Sequence, residues 1–208
     1  MEHFFQNVKG WFALNEQQWY KICVERAGND AHFVEVGSWQ GKSSAFLAVE
    51  IVNCNKKIQM DCVDSWEDVW MGTSGPYSEY KGQEVFDNFI KNMSTVVGLL
   101  NFRYIRQRSV DAAAAYQDKS LDLVFIDASH DYDNVHADIT CWLPKIKSGG
   151  VISGHDWNFT EVKRAVTDLI PALKATVTQF GLRQLTNLYT QILTVLQRKA
   201  RALQPLDG

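Results

Sequence analysis

The sequence predicts an α/β fold built on a doubly wound, mostly parallel sheet in a single domain. Three observations carry that expectation. Short apolar runs rich in β-formers alternate with stretches of helical spacing along the chain. The runs are nearly continuous in their hydrophobicity, as parallel strands buried on both faces must be. The chain has 208 residues, 46% of them hydrophobic and 22% charged, which suits one globular domain rather than a disordered chain.

Residues 1–29 read as an N-terminal helical segment, with Phe4, Phe5, Trp11, Phe12 and Trp19 among them. These aromatics suit either a cover over a pocket or a contact between two copies of the chain. Residues 30–200 read as the main domain. FVEV at 33–36 is a strand ending at Gly37, and 41–53 is a helix whose Phe46, Leu47, Val49 and Ile51 form a broad apolar face. IQMDCV at 58–63 is a second strand, ending before Asp64. Residues 66–82 carry Trp66, Trp70, Gly72, Gly75, Pro76, Tyr77 and Tyr80 and read as an irregular aromatic loop, either a pocket wall or its own packing core.

Helical spacing returns at 83–93, where Val85, Phe86, Phe89 and Ile90 are in register, and 102–106 alternates like a strand. Residues 110–116 form a short Ala-rich helix, 121–126 (LDLVFI) a buried strand and 133–146 a helix. Ser148-Gly149-Gly150 reads as a turn before a strand at 151–153, and 160–169 is a helix with Thr160 as its cap. Residues 175–180 and 190–197 suit a closing strand pair, or a strand and a helix, and 201–208 form a tail.

Composition excludes several function classes. A net charge of −3 gives no basic footprint for nucleic acid. No apolar run reaches the roughly 18 residues of a membrane span, and the first residues lack the pattern of a secretory signal. Cys23, Cys54, Cys62 and Cys141 form no CxxC pair, so neither a zinc nor a redox motif follows, and scattered thiols fit a reducing cytoplasm.

In an open α/β sheet, ligands bind beyond the carboxyl ends of the strands. Four places qualify. In Glu35-Val36-Gly37-Ser38-Trp39-Gln40-Gly41, Gly37 permits a tight turn and Gly41 permits close approach to a helix N-terminus. Glu35 disfavours a phosphate and favours an ammonium or sulfonium; the plain alternative is a strand-to-helix turn. Gly37 to Ser43 also resembles a phosphate-binding loop, one residue short of its spacing. Asp64 stands where an acid accepts both ribose hydroxyls, Ser109 follows the 102–106 strand, and Asp127, His130, His155 and Asp156 follow the last two strands.

These segments, in order, resemble the class I S-adenosylmethionine-dependent methyltransferases, whose fold is Rossmann-like. The resemblance rests on FVEVGSWQGKSSAFLA, CVDSWED, VFDNFIKNM, RQRSVDAAAAY and LDLVFIDASHDYDNVHADITCWLPKIKSGGVISGHDW. It is nearest to the branch with Ile-Asp-x-x-His-x-Tyr and Gly-Gly-x-x-x-x-His-Asp. The resemblance implies that Glu35, Gly37, Ser38 and Gly41 hold the methionine end of the cofactor. It likewise implies Asp64 and Ser65 at the ribose, Ser109 near the adenine, and Asp127 beside the methyl donor.

In that sheet Asp127 and Asp156 end neighbouring strands, about 4.8 Å apart. Together with His155 they form a ligand set for a divalent cation such as Mg2+, which related O-methyltransferases use to acidify a hydroxyl. The slot for a further oxygen ligand holds Trp157, followed by Asn158. His130 is the candidate general base, with Asp127 beside it. His136 reads as a solvated helix residue, and His3 and His32 carry no signal. The expected activity is O-methylation of a small molecule, with no nucleic acid or membrane partner. A homodimer is compatible. The alternatives are a non-catalytic nucleoside-binding domain of the same fold and a nucleotide-binding protein of the phosphate-loop kind.

Overall fold

The computed structural model describes residues 1–67, 69–70 and 79–170. The chain divides into two compact units, Met1–Ala112 and Ala113–Gly208. In chain order the first holds α1 (Leu14–Arg26), β1 (His32–Val36), α2 (Lys42–Cys54), β2 (Gln59–Asp64), β3 (Val69–Trp70), β4 (Glu79–Tyr80), α3 (Gly82–Met93) and β5 (Asn101–Arg106), and ends within α4 (Ser109–Ala113). The second holds β6 (Leu121–Ile126), α5 (Tyr132–Trp142), β7 (Ile146–Gly154) and α6 (Thr160–Leu169). The protein is thus α/β with a five-stranded sheet, as its composition of alternating elements requires.

In the first unit β1 and β5 flank β2, both in parallel, with Val34 opposite Asp61 and Asp61 opposite Arg103. Phe33, Val34, Val36, Met60, Cys62 and Val63 are buried, so β1 and β2 read as continuous apolar runs because both faces are covered, whereas β5 is exposed. α1 begins where Glu16 accepts the Ala13 N–H at 2.6 Å. It ends where the Lys56 ammonium donates to the carbonyls of Val24, Glu25 and Ala27 at 2.8–2.9 Å, supplying a cation and hydrogen bonds to its C-terminus. The N-terminal aromatics pack on α2. Phe5 and Phe12 lie 5.2 and 5.3 Å from the Phe46 ring, and Phe12 lies 5.6 Å from Tyr20.

The 66–82 segment differs from an open loop at both ends. β3 and β4 pair antiparallel within it, Val69 opposite Tyr80. Trp66 is buried against Phe86 and Phe89, ring centres 5.0 and 4.7 Å away, so it is core rather than pocket wall. Trp70 and Tyr80 enter only as strand backbone. Tyr77 lies outside the described residues, as do 175–180, 190–197 and the 201–208 tail.

In the second unit β6 and β7 run parallel. β7 is longer than the 151–153 strand expected, because Ser148-Gly149-Gly150 is not a turn but part of the strand. The pairing shifts between Leu121 opposite Ile146 and Leu123 opposite Val151, so the extra residues form a bulge. Gly149 takes it up at φ +89°, and a Cβ on Gly150 would stand 2.9 Å from the Leu121 carbonyl oxygen. The helix expected over 133–146 stops at Trp142 and tightens into a 3₁₀ turn, Leu143–Lys145, where Pro144 removes a donor. The helix expected over 110–116 ends at Ala113. No helix among the described residues is long and apolar enough to cross a membrane.

Candidate functional site

Two clusters follow strand ends, one in each unit. In the first unit, β1 leads through Gly37, at φ +90°, into the loop before α2. Glu35 is buried with 1% of its surface exposed. Tyr20 Oη donates to its Oε1 at 2.8 Å, Ser38 Oγ donates to Oε2 at 2.9 Å, and Ser44 Oγ donates to the same oxygen. Burial pushes the Glu35 carboxyl above the usual range, and the hydroxyl hydrogen bonds work against that rise. Glu35 therefore ties α1, the loop and the first turn of α2 together; its charge is spent on protein hydroxyls.

Gly41, at φ +85°, caps α2 without a side-chain hydrogen bond. A Cβ there would meet Phe89 at 3.0 Å and the Met93 sulfur at 3.3 Å. Its missing side chain makes room for α3, a packing role beside the close ligand approach expected from the sequence. Lys42 does not serve a phosphate loop: its Nζ donates to the Val8 carbonyl at 3.0 Å. The first turn of α2 offers uncapped N–H groups, which suit an anionic group.

Asp64, at the end of β2, accepts the Trp39 N–H at 2.9 Å on one oxygen and the Trp66 N–H at 2.8 Å on the other. Trp66 Nε1 donates in turn to the Trp39 carbonyl at 2.8 Å. Both tryptophans hold left-handed backbones at φ +45°, unusual for bulky residues and concentrated at this turn. Burial raises the Asp64 carboxyl against those backbone hydrogen bonds. A carboxylate accepts about four hydrogen bonds, so Asp64 keeps acceptor capacity for further hydroxyl donors. Ser65 Oγ accepts the Glu67 N–H at 3.4 Å, and Ser109 opens α4.

In the second unit the ends of β6 and β7 press together because Gly154 has no side chain; a Cβ there would stand 2.7 Å from the Ile126 carbonyl oxygen. The next residues carry the chemistry. His130 Nε2 lies 2.7 Å from Asp156 Oδ2 and 3.8 Å from Asp127 Oδ1. His155 Nδ1 lies 2.9 Å from Asp156 Oδ2 and 3.5 Å from Asp127 Oδ1. Asp156 reaches both imidazoles from a left-handed backbone at φ +58°. Asp127 and Asp156 raise the His130 imidazole to about 9 against burial. Burial pushes both carboxyls up, but hydrogen bonds from His130 and His155 outweigh it and hold them below the usual range.

One ligand atom each from Asp127, His130 and Asp156 falls within 4.8 Å of the others, so these three can close on one cation. The sequence assigned His155 to that set; its Nδ1 reaches the same two carboxylates at 2.9 and 3.5 Å, and the structure adds His130 as a further converging donor. Two carboxylates and an imidazole make a mixed donor set. Magnesium prefers oxygen alone, whereas imidazole suits a transition ion such as manganese. A cleft open to solvent runs from Asp127, Ser129, His130 and His155 to apolar Val135, Ile139, Ile152 and Val162. His136 stays outside it on α5, 5.6 Å from the Tyr132 ring. His3 and His32, silent in the sequence, contact Glu50 at 2.7 Å and Asp61 at 2.6 Å.

Tyr20, Ser44 and Gly154 were missed in the sequence. For Gly154 the signal was present, a glycine immediately before His-Asp at a strand end; Tyr20 sits on a helix with nothing to mark it.

The profile of a methyltransferase domain family matches residues 34–157. The uncharacterized protein y4gI of Sinorhizobium fredii is 24% identical over 161 residues, which cover 77% of this chain and 16% of that protein, so the chain spans a small part of its relative. Among solved structures, the O-methyltransferase NovP superposes with a TM-score of 0.58 at 17% identity, covering 78% of this chain and 73% of that one. An rRNA methylase from Streptococcus thermophilus superposes with a TM-score of 0.54 at 13% identity, covering 84% of each chain. At such identities the likeness is one of fold, and the two neighbours name different acceptors.

Proposed function

We propose that this chain, which belongs to the methyltransferase domain family, transfers a methyl group from S-adenosylmethionine to a hydroxyl of a small molecule. The observation that carries the proposal is the His130–Asp156 contact of 2.7 Å at the rim of a cleft. Methyl transfer to oxygen requires that a hydroxyl lose its proton, and this pair is built to receive one. The cleft joins these polar groups to an apolar wall of Val135, Ile139, Ile152 and Val162, a lining that suits a small organic acceptor, and a net charge of −3 does not favour a nucleic acid.

When bound, S-adenosylmethionine supplies an electrophilic methyl carbon on a sulfonium. The chain's own residues bind and orient. Asp64 accepts the ribose hydroxyls, with Ser65 beside it. Gly37 and Ser38 shape the methionine loop, Glu35 fixes that loop from within, and the uncapped start of α2 after Gly41 receives the carboxylate. Ser109 serves the adenine end. Alignment of nucleophile and donor accounts for much of the acceleration.

His130 takes the hydroxyl proton, and the carboxylates of Asp156 and Asp127 stabilise the imidazolium that results. A divalent cation is the second reading, favoured by the three converging ligand atoms. Asp127, His130 and Asp156 would hold it, and it would supply a Lewis acid for the acceptor oxygen. The two readings compete for one nitrogen of His130. Transfer of a labelled methyl group to a panel of hydroxyl compounds, with chelator or with manganese, tests both. Activity that survives chelation and is lost in His130→Ala supports the base; activity that requires the ion supports the ligand. No transfer to any hydroxyl, with transfer to amines or RNA instead, overturns the acceptor class.

A further inference from the structure

We propose that Tyr20 is a positioning residue for the methyl-donor loop: through its hydroxyl and Glu35 it fixes Ser38, so that α1 forms part of the cofactor site. The inference rests on the reading that the loop after β1 binds the cofactor. Tyr20 is wholly buried, and its Oη donates to Glu35 Oε1 at 2.8 Å. The other oxygen of the same carboxylate accepts from Ser38 Oγ at 2.9 Å, in the loop itself, and from Ser44 Oγ in the first turn of α2. One carboxylate thus couples three segments, and a carboxylate that loses a donor in a dry site must rotate, take a proton or recruit another group. Two further contacts run from the same N-terminal arm to the same loop. Trp11 stacks on Trp39 with ring centres 5.4 Å apart, and Lys42 Nζ is held by the Val8 carbonyl.

Calorimetric titration with S-adenosylhomocysteine is the test. Tyr20→Phe keeps the ring and removes the hydroxyl. Its affinity should fall by about ten-fold, the loss expected for a hydrogen bond to a charged acceptor. In a Glu35→Gln background the same substitution should cost less than about two-fold, because the hydroxyl acts through that carboxylate. Unchanged affinity in folded Tyr20→Phe, or penalties that simply multiply in the double variant, would overturn the proposal. If Tyr20→Phe does not fold, hydrogen exchange in the unaltered protein decides. Binding energy shared with α1 must slow exchange across Leu14–Arg26 more than across α6 when S-adenosylhomocysteine is added; equal slowing in both overturns it. An unaltered protein that binds no S-adenosylhomocysteine sinks the cofactor-loop reading instead, which separates the two failures.

Discussion

His130 Nε2 and Asp156 Oδ2 stand 2.7 Å apart, and Asp156 makes that contact from a left-handed backbone at φ +58°. Such a conformation costs of order 1–3 kcal/mol, so the surrounding contacts must over-determine it. Two do: the Phe159 N–H donates to the Asp156 carbonyl at 2.9 Å, and the Phe159 ring stacks on His130 with centres 5.2 Å apart.

The first prediction concerns rate against pH. A base must be unprotonated, and His130 titrates at about 9. In chelator, kcat/KM should rise with pH and level off near that value. Asp156→Asn removes one of the two charges that raise it and should move the inflection down towards the ordinary imidazole value of about 6.5. A profile whose inflection ignores Asp156→Asn would remove His130 from the proton path.

Stability should follow the same groups with the opposite sense at each end. His130 is raised, so its contribution is complete below about 6.5 and disappears as pH climbs through about 9. Asp127 and Asp156 are lowered, so their contribution is complete above about 4 and disappears on acidification. The difference in melting temperature between the unaltered protein and His130→Gln should peak between those limits. A difference flat from pH 5 to pH 10 (about five decades of proton activity) would contradict the pairing.

Gly154→Ala should separate the two strand ends. The added Cβ would stand 2.7 Å from the Ile126 carbonyl oxygen, a backbone atom that cannot swing aside. Overpacking of this kind costs about 1–3 kcal/mol, measurable by urea denaturation. Activity should fall further than stability, because Asp127 and Asp156 follow directly on the residues pushed apart. A fully active, fully stable variant would show that strand spacing does not set the carboxylate geometry.

The strands at 33–36, 58–63 and 121–126 were legible because each is an apolar run closed by a glycine or an acid, and burial on both faces leaves that mark. β7 was legible only in its last part. Ser148-Gly149-Gly150 has turn composition, and only the register against Leu121 and Leu123 reveals a bulge. Of the site, Asp127, His130, His155 and Asp156 were visible as a group, since strand ends are where polar residues gather. Their mutual contacts were not, because only side-chain geometry shows that both imidazoles reach both acids. The packing of Phe89 against Gly41 was not legible, because the two lie more than forty residues apart in the chain. Tyr20 left no trace, because a tyrosine on a helix is ordinary until its hydroxyl is seen on Glu35.

Asp64 has two duties that one substitution can separate. Its oxygens hold the Trp39 and Trp66 N–H groups, and the proposed function gives its remaining acceptor capacity to the ribose. Asp64→Ala should cost about 1–3 kcal/mol in S-adenosylhomocysteine affinity by calorimetry. Asp64→Asn keeps one oxygen for a tryptophan N–H and should retain most of the stability while still losing affinity. Equal affinity in Asn and unaltered protein would confine Asp64 to structure.

The last prediction lies away from the site. Asp61 on β2 is fully buried, and Arg103 on β5 grips it with two bonds, Nε to Oδ1 at 2.9 Å and Nη2 to Oδ2 at 2.6 Å. His32 on β1 lies 2.6 Å from the same Oδ2, so one acid ties three adjacent strands. Removing one partner of a buried pair typically costs 3–5 kcal/mol because a charge is left in a dry place. Here His32 and Gln59 remain and Arg103 is half exposed, so Arg103→Met should cost less, about 1–3 kcal/mol in urea denaturation. The sign of the second step is the sharper test. Adding Asp61→Leu to Arg103→Met removes the stranded charge itself and should restore stability relative to the single variant, since an apolar group of similar volume needs no partner. A double variant less stable than Arg103→Met would mean that the charge was never stranded, and that His32 alone suffices to hold Asp61 on the sheet.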